Sequence, residues 1–220
     1  MTYKAIIFDL DDTLLKTSVV KWAHHKAVAK QFYNIDLGDD VLAKYWGMPF
    51  EPMMALFYQN SDTPENMLKA NLSLEDQFPK QVQQDGAATI NALLRMGVEV
   101  GVVTSILGHL AQKDLKRLDF PVEKFFILQG ADDAPAHKPN PAVFDVALKL
   151  LKNKDILTSE VVYVGDALMD YYAAHRAGIG FIGITTGSIT KEQFEAEGAQ
   201  VVSSLAMLLK VIQRTNEPKL

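Results

Sequence analysis

An apolar run that stops abruptly in carboxylates constrains this chain more than any other feature: Lys4-Ala5-Ile6-Ile7-Phe8 leads straight into Asp9-Leu10-Asp11-Asp12-Thr13-Leu14. Residues 5–8 are apolar at successive positions, the pattern of a strand covered on both faces, as in the centre of a parallel sheet flanked by helices. The acids fall at the strand's carboxyl end, the edge where open α/β sheets bind ligands. Extended geometry sends Asp9 and Asp11 to one side and Leu10 to the other. Two carboxylates so placed repel unless something positive intervenes. Magnesium is the candidate, a hard cation that takes carboxylate oxygens and keeps waters that a substrate phosphate can replace. Acids just past a strand also form turns or cap helices, and Asp12-Thr13 suits that role. The stretch alone therefore admits either a site or a decorated turn.

With 220 residues the chain is long for one domain and short for two ordinary ones, which favours a core carrying a smaller insertion. Apolar residues make up 48%, enough for a substantial buried core. The 22 basic residues against 27 acidic give a net charge of −5. They are scattered rather than gathered in a stripe, which argues against nucleic acid and anionic membrane as partners. An anionic substrate must then meet local positive charge, so a lysine near the carboxylates becomes important. Cysteine is absent, which excludes disulfides, thiolate nucleophiles and cysteine metal sites and fits a reducing compartment. No signal-like segment opens the sequence and no apolar run reaches bilayer-spanning length, so the expectation is a soluble cytoplasmic protein.

Residues 18–33 repeat apolar side chains at helical spacing (Val19, Trp22, Ala23, Val28, Ala29, Phe32) and predict an amphipathic helix. Shorter helices are predicted over 40–46, 51–58 and 64–78, separated by Gly47-Met48-Pro49 and Asn60-Ser61-Asp62-Thr63. No convincing strand falls between 16 and 84. Residues 17–84 accordingly read as an all-helical insertion, and residues 1–16 with 85–220 as the core. From Gly86 onward helix and strand alternate, with helices over 87–96, 107–118, 141–151, 168–177 and 205–212. Strands are predicted over 98–103, 124–128, 160–164, 181–185 and, weakly, 199–202. Gly97 and Gly178 suit helix stops, and Pro141 a helix start. Residues 216–220 read as a frayed tail. Such alternation implies right-handed crossovers and a mainly parallel sheet, an α/β, Rossmann-like core with helices on both faces.

Parallel topology gathers Asp9 and Asp11, Thr104 and Ser105, Lys138, and Asp166 with Asp170 at one edge. Acids with a lysine and a hydroxyl form a coherent set for phosphoryl transfer, where catalysis is mainly positioning and charge neutralisation. Each also has a plainer explanation: Thr104 a helix cap, Lys138 a solvated loop residue, Asp166 and Asp170 a cap and a surface acid. Phe8-Asp9-Leu10-Asp11-Asp12-Thr13-Leu14, Val102-Val103-Thr104-Ser105, His137-Lys138-Pro139-Asn140-Pro141 and Val164-Gly165-Asp166-Ala167-Leu168-Met169-Asp170 together resemble the four ordered motifs of the haloacid dehalogenase-like hydrolase superfamily. The likeness spans nearly the whole core. It is nearest the branch of phosphoglycolate phosphatases and β-phosphoglucomutases, whose helical cap is inserted just after the first motif.

The resemblance implies that Asp9 attacks phosphorus to form an aspartyl phosphate, dividing one displacement into two easier ones. It implies that Asp11 protonates the leaving oxygen and later takes a proton from water. Thr104, with Ser105 beside it, would bind a phosphoryl oxygen, and Lys138 would offset charge on the nucleophile and the phosphoryl group. Asp9, the backbone carbonyl of Asp11, and Asp166 would hold magnesium, with Asp170 one step outside the ligands. Relatives often carry asparagine where Ser105 stands, a change that alters a supporting contact and leaves the chemistry. The name-giving dehalogenases lack the acid equivalent to Asp11, so its presence argues against dehalogenation.

In the insertion, Tyr45-Trp46-Gly47-Met48-Pro49-Phe50 and Met53-Met54-Ala55-Leu56-Phe57-Tyr58 read either as packing among helices or, over 44–50, as a loop that closes on substrate. His24, His25, His109 and His137 are not grouped at ligand spacing and read as solvated or packing residues. The leading expectation is a magnesium-dependent phosphatase of a small phosphorylated metabolite. An intramolecular phosphomutase would use the same core residues. A phosphorylated receiver domain would carry its acceptor beyond a later strand, whereas the third strand here runs into Gln129-Gly130. A catalytically silent binding protein on the same fold is the remaining alternative.

Overall fold

The computed structural model describes residues 2–46, 48 and 50–216. Gly47 and Pro49, in the segment expected to close on substrate, and residues 217–220 of the expected tail lie outside the described residues. The elements in chain order are β1 (Ala5–Phe8), β2 (Leu15–Lys16), α1 (Ser18–Tyr33), α2 (Asp39–Tyr45), α3 (Phe50–Phe57), α4 (Pro64–Leu74), β3 (Gln81–Val82), α5 (Gly86–Arg95) and β4 (Glu99–Val103). There follow α6 (Gly108–Arg117), β5 (Ile127–Gln129), α7 (Asp145–Lys152), β6 (Val161–Gly165), α8 (Leu168–Ala177), β7 (Gly180–Ile184), α9 (Lys191–Ala196), β8 (Gln200–Val202) and α10 (Leu205–Asn216).

Six strands form one parallel sheet in the order β5-β4-β1-β6-β7-β8, so the α/β, Rossmann-like expectation holds. The chain steps outward from β1 through β4 to β5, then returns to the other side of β1 and steps out through β6, β7 and β8. The carboxyl ends of β1 and β6 therefore flank the point where the winding reverses, the place where such sheets bind ligands. Alternation along β1 divides the core. Ile6 and Phe8 pack with Ile90, Leu115 and Leu208 from α5, α6 and α10, while Ala5 and Ile7 pack with Phe144, Leu151 and Ala173 on the opposite face. Full burial of one such large side chain contributes about 1.5–3 kcal/mol, which is why a run apolar at every position settles in the middle of the sheet.

The chain divides into two compact units, Met1–Leu15 with Val82–Leu220, and Lys16–Gln81. The second unit is built from helices around its own core of Val28, Leu42, Met54, Phe57, Tyr58 and Met67, so the methionine and aromatic residues of α3 do pack. A buried polar knot sits within it. Tyr58 Oη lies 2.8 Å from His25 Nδ1 and accepts from Asn71 Nδ2 at 2.8 Å, and His24 Nε2 lies 2.9 Å from the Asn71 carbonyl. Among the described residues no helix is long and apolar enough to cross a membrane.

Local departures from the sequence expectations have local causes. The helix predicted over 64–78 stops at Leu74, and a 3-10 turn over Glu75–Gln77 swings Phe78 onto the His24 ring, centroids 5.3 Å apart. The strand predicted over 124–128 is displaced, because Val122–Lys124 closes a 3-10 turn and the ladder to β4 starts by pairing Ile127 with Gly101. The helix predicted over 141–151 begins as a 3-10 turn over Pro141–Phe144, with Asn140 Oδ1 accepting from the Ala142 amide. Two short strands, β2 and β3, pair in a separate two-stranded sheet, although no strand was expected between residues 16 and 84. Helix α9 was also not expected; six residues are too few for periodicity to register, and its stability comes from reciprocal Thr190–Gln193 capping and from buried Phe194.

Candidate active site

Asp9 directly follows β1, and its amide continues the ladder by donating to the Val164 carbonyl at 2.8 Å. Its carboxylate is thereby fixed at the carboxyl end of the sheet, and the residue is only 6% exposed. Lys138 arrives from the segment between β5 and α7 with its side chain almost completely buried. Its ammonium donates to Asp9 Oδ1 at 2.6 Å, to Asp170 Oδ1 at 2.7 Å and to Tyr163 Oη at 2.8 Å. Asp170, one helical turn beyond Asp166, accepts the Ala167 amide on Oδ2 at 3.1 Å at the start of α8. Thr13 Oγ1 lies 3.3 Å from Asp166 Oδ1. Between them Asp12 takes a left-handed backbone conformation (φ 54°), and its carbonyl accepts from the Thr186 hydroxyl and, at 3.5 Å, from the Gln83 side-chain amide.

Carboxylate oxygens of Asp9, Asp166 and Asp170 all lie within 4.8 Å of one another. Three ionised carboxylates against the one ammonium of Lys138 leave −3 + 1 = −2. Burial first, and that imbalance after it, disfavour the ionised carboxylates. Burial pushes the Asp9 carboxyl up to about 7, with Lys138 opposing and Asp170 adding. Burial, reinforced by Asp9 and Asp170, pushes Asp166 up to about 9. For Lys138 burial works against the charge, but Asp170 and Asp9 outweigh it and hold the ammonium well above its usual range. An oxygen-only donor set carrying this charge fits a hard divalent cation. Space is kept for these carboxylates by two glycines. A β-carbon on Gly165 would lie 2.4 Å from Asp170 Oδ2, and one on Gly187 would lie 1.9 Å from Asp166 Oδ2.

Of the residues singled out from sequence, the structure brings Asp9, Lys138, Asp166 and Asp170 together. The side chain of Asp170, expected one step outside the ligands, reaches the same cluster, yet both its oxygens are already engaged by Lys138 and the Ala167 amide. Asp11 is half-buried and forms a bridge with Leu15; its carboxylate is not a member of the acidic cluster, and the role foreseen for it in metal binding used its carbonyl. Thr104 is buried at the end of β4, where its amide donates to the Gln129 carbonyl at 3.0 Å and its Oγ1 accepts from Ile106 at 3.4 Å. Ser105 is exposed. Sequence reasoning passed over Tyr163, whose hydroxyl meets Lys138. The available signal was a lone tyrosine in the otherwise aliphatic strand Val161–Gly165, since a buried hydroxyl must find a partner.

A family model described as haloacid dehalogenase-like hydrolase matches residues 6–184. The chain belongs to this family. Among curated relatives, validoxylamine A 7'-phosphate phosphatase from Streptomyces hygroscopicus subsp. limoneus is 31% identical over 203 residues, covering 89% of this chain and 92% of that protein. A protein from Caldanaerobacter subterraneus subsp. tengcongensis, provisionally named pyrophosphatase PpaX, is 28% identical over 223 residues, covering 99% and 98%. Of solved structures, a provisionally named β-phosphoglucomutase from Thermotoga maritima superposes with a TM-score of 0.82 at 20% identity over 96% of this chain and 99% of that one, which speaks to the fold.

Proposed function

We propose that this chain is a phosphatase, a hydrolase of phosphoric monoesters, that acts on a small phosphorylated metabolite through an aspartyl phosphate on Asp9 and depends on magnesium. The observation that carries the reading is the buried contact of Lys138 with Asp9 and Asp170 beside Asp166 at the sheet's switch point. The named relatives support the class: their names share a phosphoryl group and little else, so the proposal extends to a class of substrate and not to one compound. Asp9, Asp166 and the Asp11 carbonyl would hold magnesium, which when bound supplies positive charge to the phosphoryl oxygens and favours ionised Asp9.

In the first step an Asp9 carboxylate oxygen bonds to phosphorus as the ester P–O bond breaks, and the Asp11 carboxyl gives its proton to the leaving oxygen. In the second, water attacks the aspartyl phosphate while Asp11 takes its proton, releasing inorganic phosphate and restoring Asp9. Lys138 holds Asp9 by Oδ1 throughout, and the Thr104 hydroxyl orients a phosphoryl oxygen. An aryl phosphate assay tests the reading: Asp9→Asn or excess chelator should abolish turnover, and full activity under either condition defeats it. The phosphomutase alternative predicts an isomerised sugar phosphate without free phosphate, an outcome the same purified protein can be assayed for.

A further inference from the structure

We propose that Tyr163 is a positioning residue that orients the Lys138 ammonium and, through it, the Asp9 nucleophile. For its chemistry this rests on the phosphatase reading; for its geometry it does not. Tyr163 is wholly buried in the middle of the sheet, its ring edge-on to Phe144 with centroids 4.8 Å apart. Its hydroxyl has one proton, and that proton goes to the Val103 carbonyl at 2.8 Å, a group that can only accept. What the oxygen offers Lys138 is therefore a lone pair. The 3.5 Å separation from Asp9 Oδ1 is left without a proton of its own.

An ammonium has three protons, and Asp9, Asp170 and Tyr163 account for all three at 2.6, 2.7 and 2.8 Å. Two consequences follow from the count. Rotation about the terminal C–N bond is fixed, so the Lys138 contact is held on one oxygen of Asp9. No ammonium proton remains for a phosphoryl oxygen while all three contacts persist, so Lys138 acts through the two carboxylates. The anchor also matters because Lys138 is supplied by an irregular segment, whereas Tyr163 is set in a strand paired on both sides. Because Val103 immediately precedes Thr104, the same hydroxyl ties the ammonium to the backbone that presents Thr104.

The test uses Tyr163→Phe in the full chain, which keeps the ring and removes only the oxygen. In proton–nitrogen spectra of the lysine ammonium groups, with Lys138 assigned by its disappearance in Lys138→Arg, the wild-type signal should be shielded from solvent exchange. Its exchange should quicken at least about tenfold in Tyr163→Phe, as expected when a buried hydrogen bond is opened locally. With an aryl phosphate, kcat should fall about 10–100-fold with KM changed less than about threefold, the pattern of a misplaced group rather than lost binding. Should the variant fail to fold, cross-relaxation between the Lys138 ammonium and the Tyr163 ring protons in the wild type decides the matter. Its absence, or an unchanged ammonium signal in Tyr163→Phe, overturns the proposal. A wild type that hydrolyses no phosphate ester would instead remove the phosphatase reading, with the ammonium spectra still deciding whether Tyr163 positions Lys138.

Discussion

Gly187 shows how little room surrounds the acidic cluster. A methyl there would fall 1.9 Å from Asp166 Oδ2, 2.7 Å from its Cγ and 2.9 Å from its Cβ, so it meets the whole side chain and not only its end. Relief needs both a turn of the carboxylate and a small shift of the chain, so Gly187→Ala should lose about 1–3 kcal/mol in urea unfolding while displacing a proposed magnesium ligand. Displacing such a group characteristically costs about 10–100-fold in metal affinity, and calorimetric titration with magnesium should register a loss of that size. Wild-type affinity in Gly187→Ala would show that Asp166 does not bind the ion. Gly165 stands in the same relation to Asp170. In both positions an added β-carbon would take volume that a carboxylate of the acidic cluster occupies.

Strand β6 and the helix after it do more than any other pair of elements to assemble the cluster. Five consecutive buried residues put Tyr163 into the core facing Phe144 and end at Gly165, after which Asp166, just before α8, and Asp170, in its first turn, join Asp9 in the cluster. On the same side of the sheet order, α9 is anchored by Phe194, which is fully buried against Gly183 of β7 and lies tilted to Phe181, ring centroids 5.8 Å apart. Phe194→Ala should destabilise the protein by about 3–5 kcal/mol in urea unfolding, the usual range for emptying a buried aromatic site. A loss below about 1 kcal/mol would mean that α9 is not docked as described. Thr190→Ala, which removes the hydroxyl that accepts the Gln193 amide and leaves the Thr190 amide bonded to Gln193 Oε1, should cost about 1 kcal/mol.

The two units of the whole molecule keep their polar groups buried in different ways, one with charges and one without. In the Lys16–Gln81 unit, burial pushes His25 down to about 3, with His24 and Lys21 adding to the effect. The folded chain thus holds His25 neutral where the unfolded chain, titrating near 6.5, takes up a proton. Stability from this group is complete above pH 6.5 and falls as pH drops from about 6.5 toward 3, with a slope approaching about 1.4 kcal/mol per pH unit. Urea unfolding between pH 7.5 and 5 should show a shallower decline in His25→Gln than in wild type; equal declines would exclude His25 as a source of acid lability. How much of this was legible beforehand differs by feature. The apolar run ending in Asp9, the presence of a helix over α1 and the helix and strand alternation were readable in the sequence, because each follows from neighbours within a few positions, and the order of the acids, lysine and hydroxyl was readable through the family likeness; the amphipathic face expected of α1 did not hold, since Val19 and Phe32 are exposed while His24 and His25 are buried with Val28 and Ala29. Which carboxylates share one space, that Lys138 directs its third proton to Tyr163 and that His25 stays neutral were decided only by tertiary structure. Those outcomes depend on burial and on donor and acceptor counts summed over residues far apart in the chain, and no local pattern carries such a sum.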